Sequence, residues 1–267
     1  KVASSAHIEY HARIIAQKYL ARELISFTAM IQGKAFDETL DVEDLMQEAE
    51  GKLFEISQRN VKKDVTQINP VIKDAMEMLQ KAALQKEGLS GLRTGFEGLD
   101  KMTSGWQNSD LIIIAARPAM GKTAFVLSMA KNMAVNFNTP VALFSLEMSN
   151  VQLVNRLIVN VCEIPGEKIK SGRLESYEWE QLDFKIKELY DAPIFVDDTP
   201  SLSVFELRTK ARRLVREHGI KCIIIDYLQL MNASGMNFGS REQEVSTISR
   251  SLKGLAKELN LSLIHIS

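Results

Sequence analysis

Residues 110–123 read DLIIIAARPAMGKT. An apolar run, 111–114, leads through a short turn to a Gly-Lys-Thr tripeptide, and a helix-like run, 124–135, follows. A strand, a tight loop and a helix in this order are the context of a phosphate-binding loop, in which backbone N–H groups face phosphate oxygens. The stretch therefore predicts a nucleotide site, with Lys122 reaching the β- and γ-phosphates and the Thr123 hydroxyl binding Mg²⁺.

The sequence differs from the usual phosphate-binding loop pattern at one position. The pattern G-x-x-x-x-G-K-[ST] has a glycine where this chain has Ala116. An ordinary strand–turn–helix junction with a surface lysine is the alternative, but the flanking strand and helix favour the nucleotide loop. The residues predicted to contact the nucleotide here are Ala116, Arg117, Pro118, Ala119, Met120, Gly121, Lys122, Thr123 and Ala124.

Composition narrows the class of protein. The chain has 267 residues, of which 45% are hydrophobic and 25% charged, which is typical of globular proteins. A net charge of −1 means that any nucleic-acid binding must use a local basic patch.

Cys162 and Cys222 lie far apart in apolar stretches and are expected to be reduced core residues, as in a cytosolic protein. No apolar run approaches about 18 residues and no secretory signal is evident. Because the chain begins at Lys1, we expect it to be cut from a longer protein.

Beyond residue 92 the pattern alternates between short apolar runs and longer amphipathic ones. Continuous apolar strands separated by helices imply a parallel sheet covered on both faces, with ligands bound beyond the carboxyl ends of the strands. The predicted strands are 111–115, 141–146, 194–197, 222–226 and 261–266. The predicted helices are 122–135, 149–161, 176–190, 203–217 and 241–259.

The first 91 residues are predicted to be helical. Apolar spacing and a cap at Asp41 predict an antiparallel helical hairpin within residues 1–60. Residues 61–91 are expected to be a linker with one helix, opened by Asn69 and Pro70. Two helices rarely bury enough surface to be stable alone, so the hairpin is expected to belong to a larger domain or to pack on a partner.

Three polar residues follow predicted strands where a nucleotide's reacting phosphate would lie. Asp226 ends an apolar strand and would hold the Mg²⁺ shell, usually through water; a helix cap is the alternative. Glu147 ends another strand and could orient the attacking water and accept its proton, although a surface glutamate at a turn is equally compatible. Gln229 could sense the γ-phosphate, or could simply be solvated.

A polar loop and a basic helix suggest a nucleic-acid contact. Residues 232–240 read NASGMNFGS, and Arg241, Arg250 and Lys253 follow on the next helix. A flexible loop beside cations suits sequence-independent contact with a single-stranded phosphate backbone, whereas an ordinary surface loop is the alternative. A second basic run, which contains Lys210, Arg212, Arg213 and Arg216, is more typical of a solvated helix face.

The order of these motifs resembles one family. ARPAMGKT, FSLEMS, IIIDYLQLM and REQEVSTISRSLKGLAKEL, preceded by GLRTGFEGLDKMTSGWQNSDL, resemble the DnaB-type replicative DNA helicases over essentially the whole chain. The resemblance implies an α/β, RecA-like P-loop NTPase domain with a mostly parallel sheet at 92–267, incomplete at its C-terminal end. It also implies a collar hairpin at 1–60 and a linker at 61–91. Ala116 is itself typical of that family.

The resemblance implies function and partners as well. It implies a homohexamer that encircles one DNA strand and moves 5′ to 3′ on ATP hydrolysis in the bacterial cytosol, near the nucleoid, with ATP and Mg²⁺ as cofactors. It implies contacts with a primase through the collar and with a helicase loader, and none with a membrane. Among the catalytic residues that it implies, Glu147 is the base, Lys122 a phosphate ligand and Gln229 a sensor. Thr123 and Asp226 would bind Mg²⁺, and Gly239, Arg241 and Arg250 would contact DNA. Arg156 matches the motif helix after Glu147 without an assigned role.

Two departures and two alternatives accompany the resemblance. The last strand reads LSLIHIS where the family has roughly PVIALS followed by QLNR. The family's trans-acting arginine finger lies beyond Ser267, so this chain alone is expected to bind ATP better than it hydrolyses it. A recombinase of the RecA or RadA type is one alternative, and a nucleotide-gated interaction module is the other.

Overall fold

The computed structural model describes residues 8–60, 68–84, 89–232 and 240–267. The chain is divided into two compact units. The helical unit contains α1 (Ile8–Ala35) and α2 (Val42–Asn60), and everything described from Ile68 onward belongs to the other unit.

The helical unit is a hairpin of two long helices. The helices α1 and α2 are in contact, and the Lys34 ammonium lies 2.5 Å from the Glu48 carboxylate across the pair. This confirms the predicted hairpin, with the first helix running two residues beyond Gly33. Several apolar side chains of α1 stay exposed, since Ile8, Ile15 and Tyr19 are each more than half accessible.

The larger unit is a parallel sheet with helices on both faces. Its strands are β1 (Leu111–Ile114), β2 (Val141–Ser145), β3 (Ile194–Asp197), β4 (Cys222–Asp226) and β5 (Ser262–Ile266). All four pairings are parallel and the order across the sheet is β1-β5-β4-β2-β3. This confirms the predicted α/β, RecA-like class and all five predicted strands to within one residue.

The helices of this unit follow the predicted pattern with local differences. They are α3 (Ile68–Leu84), α4 (Glu97–Thr103), α5 (Lys122–Lys131), α6 (Asn150–Cys162), α7 (Gly166–Ser171), α8 (Ser176–Lys185), α9 (Lys187–Tyr190), α10 (Val204–His218) and α11 (Arg241–Leu259). A π-helical turn, Asn132–Asn136, extends α5, and a 3₁₀ turn, Leu228–Leu230, follows β4. The predicted helix at 176–190 is broken at Ile186 into α8 and α9, whereas α4 and α7 are too short for their periodicity to stand out in the sequence.

Crossover direction places the helices on the two faces of the sheet. The chain moves one way across the sheet from β1 to β2 to β3, and back again from β3 to β4 to β5. Because such crossovers are right-handed, α5 and α6 cover one face and α10 and α11 the other, and each pair is in contact. The core between these layers is aliphatic. Its fully buried side chains include Met129, Met133, Leu153, Leu207, Ile223, Ile224 and Ile225.

Strand order also determines where polar side chains can meet. β5 separates β1 from β4, while β4 pairs directly with β2 so that Ser145 lies opposite Asp226. The carboxyl ends of β1, β2 and β4 therefore lie along one edge of the sheet. Among the described residues, no helix is long and apolar enough to cross a membrane.

Candidate nucleotide and nucleic-acid site

A cavity of about 690 Å³ opens at the carboxyl ends of the strands. Its lining residues are Pro118, Ala119, Met120, Gly121, Lys122, Thr123, Ala124, Glu147, Met148, Arg156, Asp226, Tyr227, Gln229 and Ser267. Most of the predicted nucleotide residues are thus brought together around one space. Ala116 and Arg117 belong to the same loop but do not line the cavity.

The loop after β1 turns sharply before it enters α5. Ala119 and Gly121 both have a positive φ, of 62° and 85°, and Gly121 precedes the first helical residue, Lys122. Glycine adopts such a φ at no steric cost, which explains the glycine in the Gly-Lys-Thr tripeptide. The backbone N–H groups at the start of α5 have no partners within the helix, so they face the cavity as potential anion donors.

The Lys122 ammonium makes a contact within its own loop. Its Nζ atom donates a hydrogen bond to the Ala116 carbonyl oxygen, at 2.6 Å. Ala116 is the position at which the usual loop pattern has glycine. The backbone oxygen there does not depend on the side chain, so the alanine leaves this contact unaffected.

Asp226 is a buried carboxylate at the end of β4. The residue is only 8% exposed, and burial raises its pKa above the ordinary value, with a smaller contribution from Glu147. A hydrogen bond from Thr123 and the charges of Arg156 and Lys122 oppose that rise in pKa. Asp226 is therefore a carboxylate whose charge the chain itself compensates only in part, which suits a site for a cation.

Thr123 and Asp226 together supply a hydroxyl and a carboxylate oxygen. Hard oxygen ligands of this kind are those that Mg²⁺ prefers, and Mg²⁺ usually adds substrate phosphates and waters to one or two protein ligands. Within the described residues, no group of three or more His, Cys, Asp or Glu side chains could hold a metal ion. The residues present fit a Mg²⁺ ion that is bound together with a phosphate and do not fit a closed protein site.

Glu147 lies on a short segment between β2 and α6. The Leu146 N–H donates to the Asp226 carbonyl at 2.8 Å, and the Met148 N–H donates to the Ser145 hydroxyl at 3.0 Å. These bonds place the exposed Glu147 side chain at the cavity beside Asp226. An exposed carboxylate near a phosphate-binding loop is available to accept a proton.

Arg156 lines the same cavity from α6, two turns beyond its start. Sequence reasoning singled it out without a role, and the structure places its charge close enough to Asp226 to lower that carboxyl's pKa. Tyr227 and Met148 also line the cavity but had not been predicted. Each directly follows a predicted site residue, and nothing in its own type signals a site.

Gln229 and Arg241 connect the cavity to the predicted DNA contact. The Gln229 side chain lines the cavity, and its backbone carbonyl accepts a hydrogen bond from the Arg241 guanidinium. Arg241 also donates to the Met231 carbonyl and to the Glu244 carboxylate. It therefore joins the segment after β4 to the start of α11, an arrangement that the sequence did not predict.

The remaining predicted DNA residues are less closely connected to the cavity. Arg250 lies on the exposed side of α11 and does not line the cavity. Gly239 lies outside the described residues, as does the rest of 233–239. In the second basic run, Lys210 binds Asp197 and Glu206, and Arg212 binds Glu258, as structural ion pairs.

Comparison with known proteins identifies the family. Residues 91–267 match the family described as the DnaB-like helicase C terminal domain. The whole chain is 46% identical to the replicative DNA helicase DnaB of Rhodothermus marinus and 41% identical to that of Geobacillus stearothermophilus. It spans 28% and 59% of the lengths of these relatives, respectively.

Solved structures agree with the sequence comparison. One of them, described as an ATPase domain, has a TM-score of 0.70 at 36% identity, over 76% of this chain and 72% of that one. A DnaB-like replicative helicase, described with its interactions with primase, has a TM-score of 0.68 at 33% identity, over 100% of this chain and 62% of that one. Together with the family match over the larger unit, these relationships establish that the chain belongs to the DnaB-like helicase family.

Proposed function

We propose that this chain is the ATP-driven motor portion of a replicative DNA helicase, which moves 5′ to 3′ on single-stranded DNA and unwinds duplex ahead of it. The observation that carries the proposal is the cavity that brings Lys122, Thr123, Glu147 and Asp226 together at the strand ends of a DnaB-like chain. These four residues supply what phosphoryl transfer to water requires: a cation for the phosphates, metal ligands and a base.

ATP binds in the proposed site as its Mg²⁺ complex. Lys122 exchanges the Ala116 carbonyl for the β- and γ-phosphate oxygens, while the N–H groups at the start of α5 contact the same phosphates. Thr123 and Asp226 would hold the Mg²⁺ ion. When bound, the ion would supply charge stabilisation for the phosphates and would compensate the buried carboxylate of Asp226.

Hydrolysis proceeds with Glu147 as the base. Water attacks the γ-phosphorus as the bond to the β–γ bridging oxygen breaks, and the proton of the water passes to the Glu147 carboxylate. Lys122 on α5 and Arg156 on α6, which both line the cavity, stabilise the negative charge on the transferring group. In this scheme Gln229 senses whether the γ-phosphate is present.

DNA binding is assigned to the segment after β4 and to α11. The proposed phosphate contacts are Gly239, Arg241 and Arg250, and binding is expected to be independent of sequence. The hydrogen bond from Arg241 to the Gln229 carbonyl supports a link between nucleotide and DNA, because one guanidinium is shared between the two segments.

Assembly and partners follow from the domain organisation that we propose. Residues 1–60 form part of a collar, 61–91 a linker, and 92–267 the motor domain of a homohexamer. Exposed apolar stripes on α1 and α3, the latter with Ile68, Ile72, Met76 and Leu79, are consistent with packing on neighbouring copies. A primase at the collar, a helicase loader and a location in the bacterial cytosol complete the proposal.

The test is ATP turnover with and without oligo-dT. We expect slow basal turnover that single-stranded DNA stimulates, and a loss of about 10²- to 10⁴-fold in Glu147→Gln with unchanged nucleotide binding. Turnover that is present but indifferent to DNA would favour an interaction module controlled by nucleotide. Unchanged turnover in Glu147→Gln would remove this residue from the role of base.

A further inference from the structure

Two adjacent aspartates at the end of the edge strand β3 make different contacts. Asp197 is the last residue of the strand, and its carboxylate pairs with Lys210 of α10 at 2.8 Å. Asp198 follows directly, and its carboxylate binds the first residue of α6. Because consecutive strand residues point to opposite faces, these two carboxylates join β3 to both helical layers.

The contact between Asp198 and α6 uses both carboxylate oxygens. The Asn150 backbone N–H donates to Oδ2 at 2.8 Å, and the Asn150 side-chain Nδ2 donates to Oδ1 at 2.9 Å. The backbone N–H at the first position of a helix has no partner within the helix, so an external acceptor satisfies it. A negative charge at that end is also favoured by the helix dipole.

The contact with Asp198 determines the orientation of the Asn150 side-chain amide. Its Oδ1 atom is buried and has no hydrogen-bond partner among the described residues. The opposite orientation would place that oxygen against the Asp198 carboxylate, where two acceptors would repel one another. The observed orientation therefore keeps the hydrogen bond to Asp198 and leaves Oδ1 of Asn150 without a partner among the described residues.

The contact between Asp198 and Asn150 lies at one end of a short segment, 146–149, which joins β2 to α6 and contains Glu147. Leu146 and Met148 are held at the end of β2 by Asp226 and Ser145, as described above. Within the part of the chain that is described, no hydrogen bond is made by the Glu147 side chain itself. The position of its carboxylate therefore depends on where β2 ends and where α6 begins.

We propose that Asp198 is a positioning residue for Glu147. It fixes the first turn of α6 against the edge strand and so holds the backbone from which Glu147 reaches the attacking water. The inference rests on the proposed role of Glu147 as base. Asp198 does not line the cavity and is exposed, so its removal should leave folding and the phosphate contacts intact.

The experiment compares Asp198→Ala and Asp198→Asn with Asp191→Ala, an exposed aspartate elsewhere on the same unit. Asparagine retains an oxygen that can accept from the Asn150 N–H, whereas alanine retains none. Three quantities are measured in each variant: amide hydrogen exchange at Asn150 and Met148, affinity for the Mg²⁺ complex of a non-hydrolysable ATP analogue, and ATP turnover.

In Asp198→Ala we expect exchange at Asn150 to rise about tenfold or more. Turnover should fall by about 10- to 100-fold, since misplacement of a reacting group by about 1 Å has effects of that size. Affinity for the analogue should be unchanged, Asp198→Asn should recover part of the turnover, and Asp191→Ala should match the unmodified chain.

Unchanged exchange at Asn150 in Asp198→Ala would overturn the proposal, whatever the turnover. Faster exchange with full turnover would also overturn it, because Glu147 would then be positioned without Asp198. Failure of the proposed function would give a different result. The unmodified chain would then bind no Mg²⁺–nucleotide complex, or the Lys122→Ala variant would bind the complex as tightly as the unmodified chain does.

Discussion

Asp226 is a residue whose burial opposes the stability of the fold when its carboxylate is charged. Burial raises its pKa above the ordinary value of 3.8, so the folded chain holds the proton of this group more tightly than the unfolded chain does. A group with a raised pKa contributes stability that is present below its unfolded pKa and lost as the pH rises through its folded pKa. At neutral pH its charge therefore destabilises the nucleotide-free fold.

Asp226→Asn should stabilise the chain at pH 7 in the absence of Mg²⁺ and nucleotide. We expect the melting temperature to rise by a few degrees, since about 1 kcal/mol corresponds to about 2–4 °C at this size. The gain should shrink as the pH falls through the raised pKa of the native carboxyl. Thermal unfolding across this pH range, with the exposed Asp191→Asn as control, measures it; a variant that melts lower at pH 7 would contradict the argument.

Lys122 is the residue whose loss should affect binding most directly. Removal of the ammonium in Lys122→Ala should weaken binding of the Mg²⁺–ATP complex by about 10- to 100-fold, the size of a hydrogen bond to a charged group. Titration calorimetry measures the affinity, and Lys131→Ala at the other end of α5 is the matched control. Equal affinity in Lys122→Ala and the unmodified chain would reject the loop assignment.

At the scale of elements, α11 connects the two proposed sites. Its first residue, Arg241, binds the Gln229 and Met231 carbonyls, while Leu252 and Ala256 further along are fully buried against the sheet. Movement at the end of β4 would therefore reach the start of α11 through one guanidinium. The sequence predicted a basic helix after a polar loop, whereas the contacts of Arg241 with the two backbone carbonyls are seen only in the folded chain.

Arg241→Ala should weaken binding of oligo-dT and of mixed-sequence single strands alike. The slope of log affinity against log salt should fall by about 1, as expected for one lost phosphate contact. Fluorescence anisotropy at several salt concentrations measures both quantities, with Arg216→Ala on α10 as control. An unaltered slope would mean that Arg241 serves only its contacts within the chain.

For the whole molecule, the main structural feature is the division into two units with different kinds of surface. The larger unit has an aliphatic core between two helical layers, whereas the apolar side chains of α1 remain largely exposed. An exposed apolar stripe of this length is typical of a surface that another chain covers. Isolated hairpins of two helices also bury too little surface to be stable alone.

Native mass spectrometry with Mg²⁺ and a non-hydrolysable ATP analogue, with and without oligo-dT, tests assembly directly. We expect hexamers that bind one strand, because the stripes on α1 and α3 would then be covered by neighbouring copies. Monomers that bind nucleotide would contradict assembly by this chain on its own. They would still leave the assignment of the nucleotide cavity intact.

The sequence by itself determined the elements and the types of residue at their ends. Apolar runs and amphipathic spacing predicted all five strands and most helices, because burial on a sheet or a helix face imposes a period that is local in sequence. The Gly-Lys-Thr loop and the polar residues at the ends of β2 and β4 were predicted to form one site for a different reason, since the carboxyl ends of parallel strands lie at one edge of a sheet.

The tertiary structure alone decided which of those residues meet and which contacts hold them. The strand order puts Ser145 opposite Asp226, and only this register brings the segment of Glu147 beside the buried carboxylate. Burial then raises the pKa of Asp226, Arg156 joins the cavity from α6, and Asp198 reaches Asn150 across 48 positions of sequence. Contacts at such separations depend on how strands are ordered and packed, and no local period in the sequence records that order.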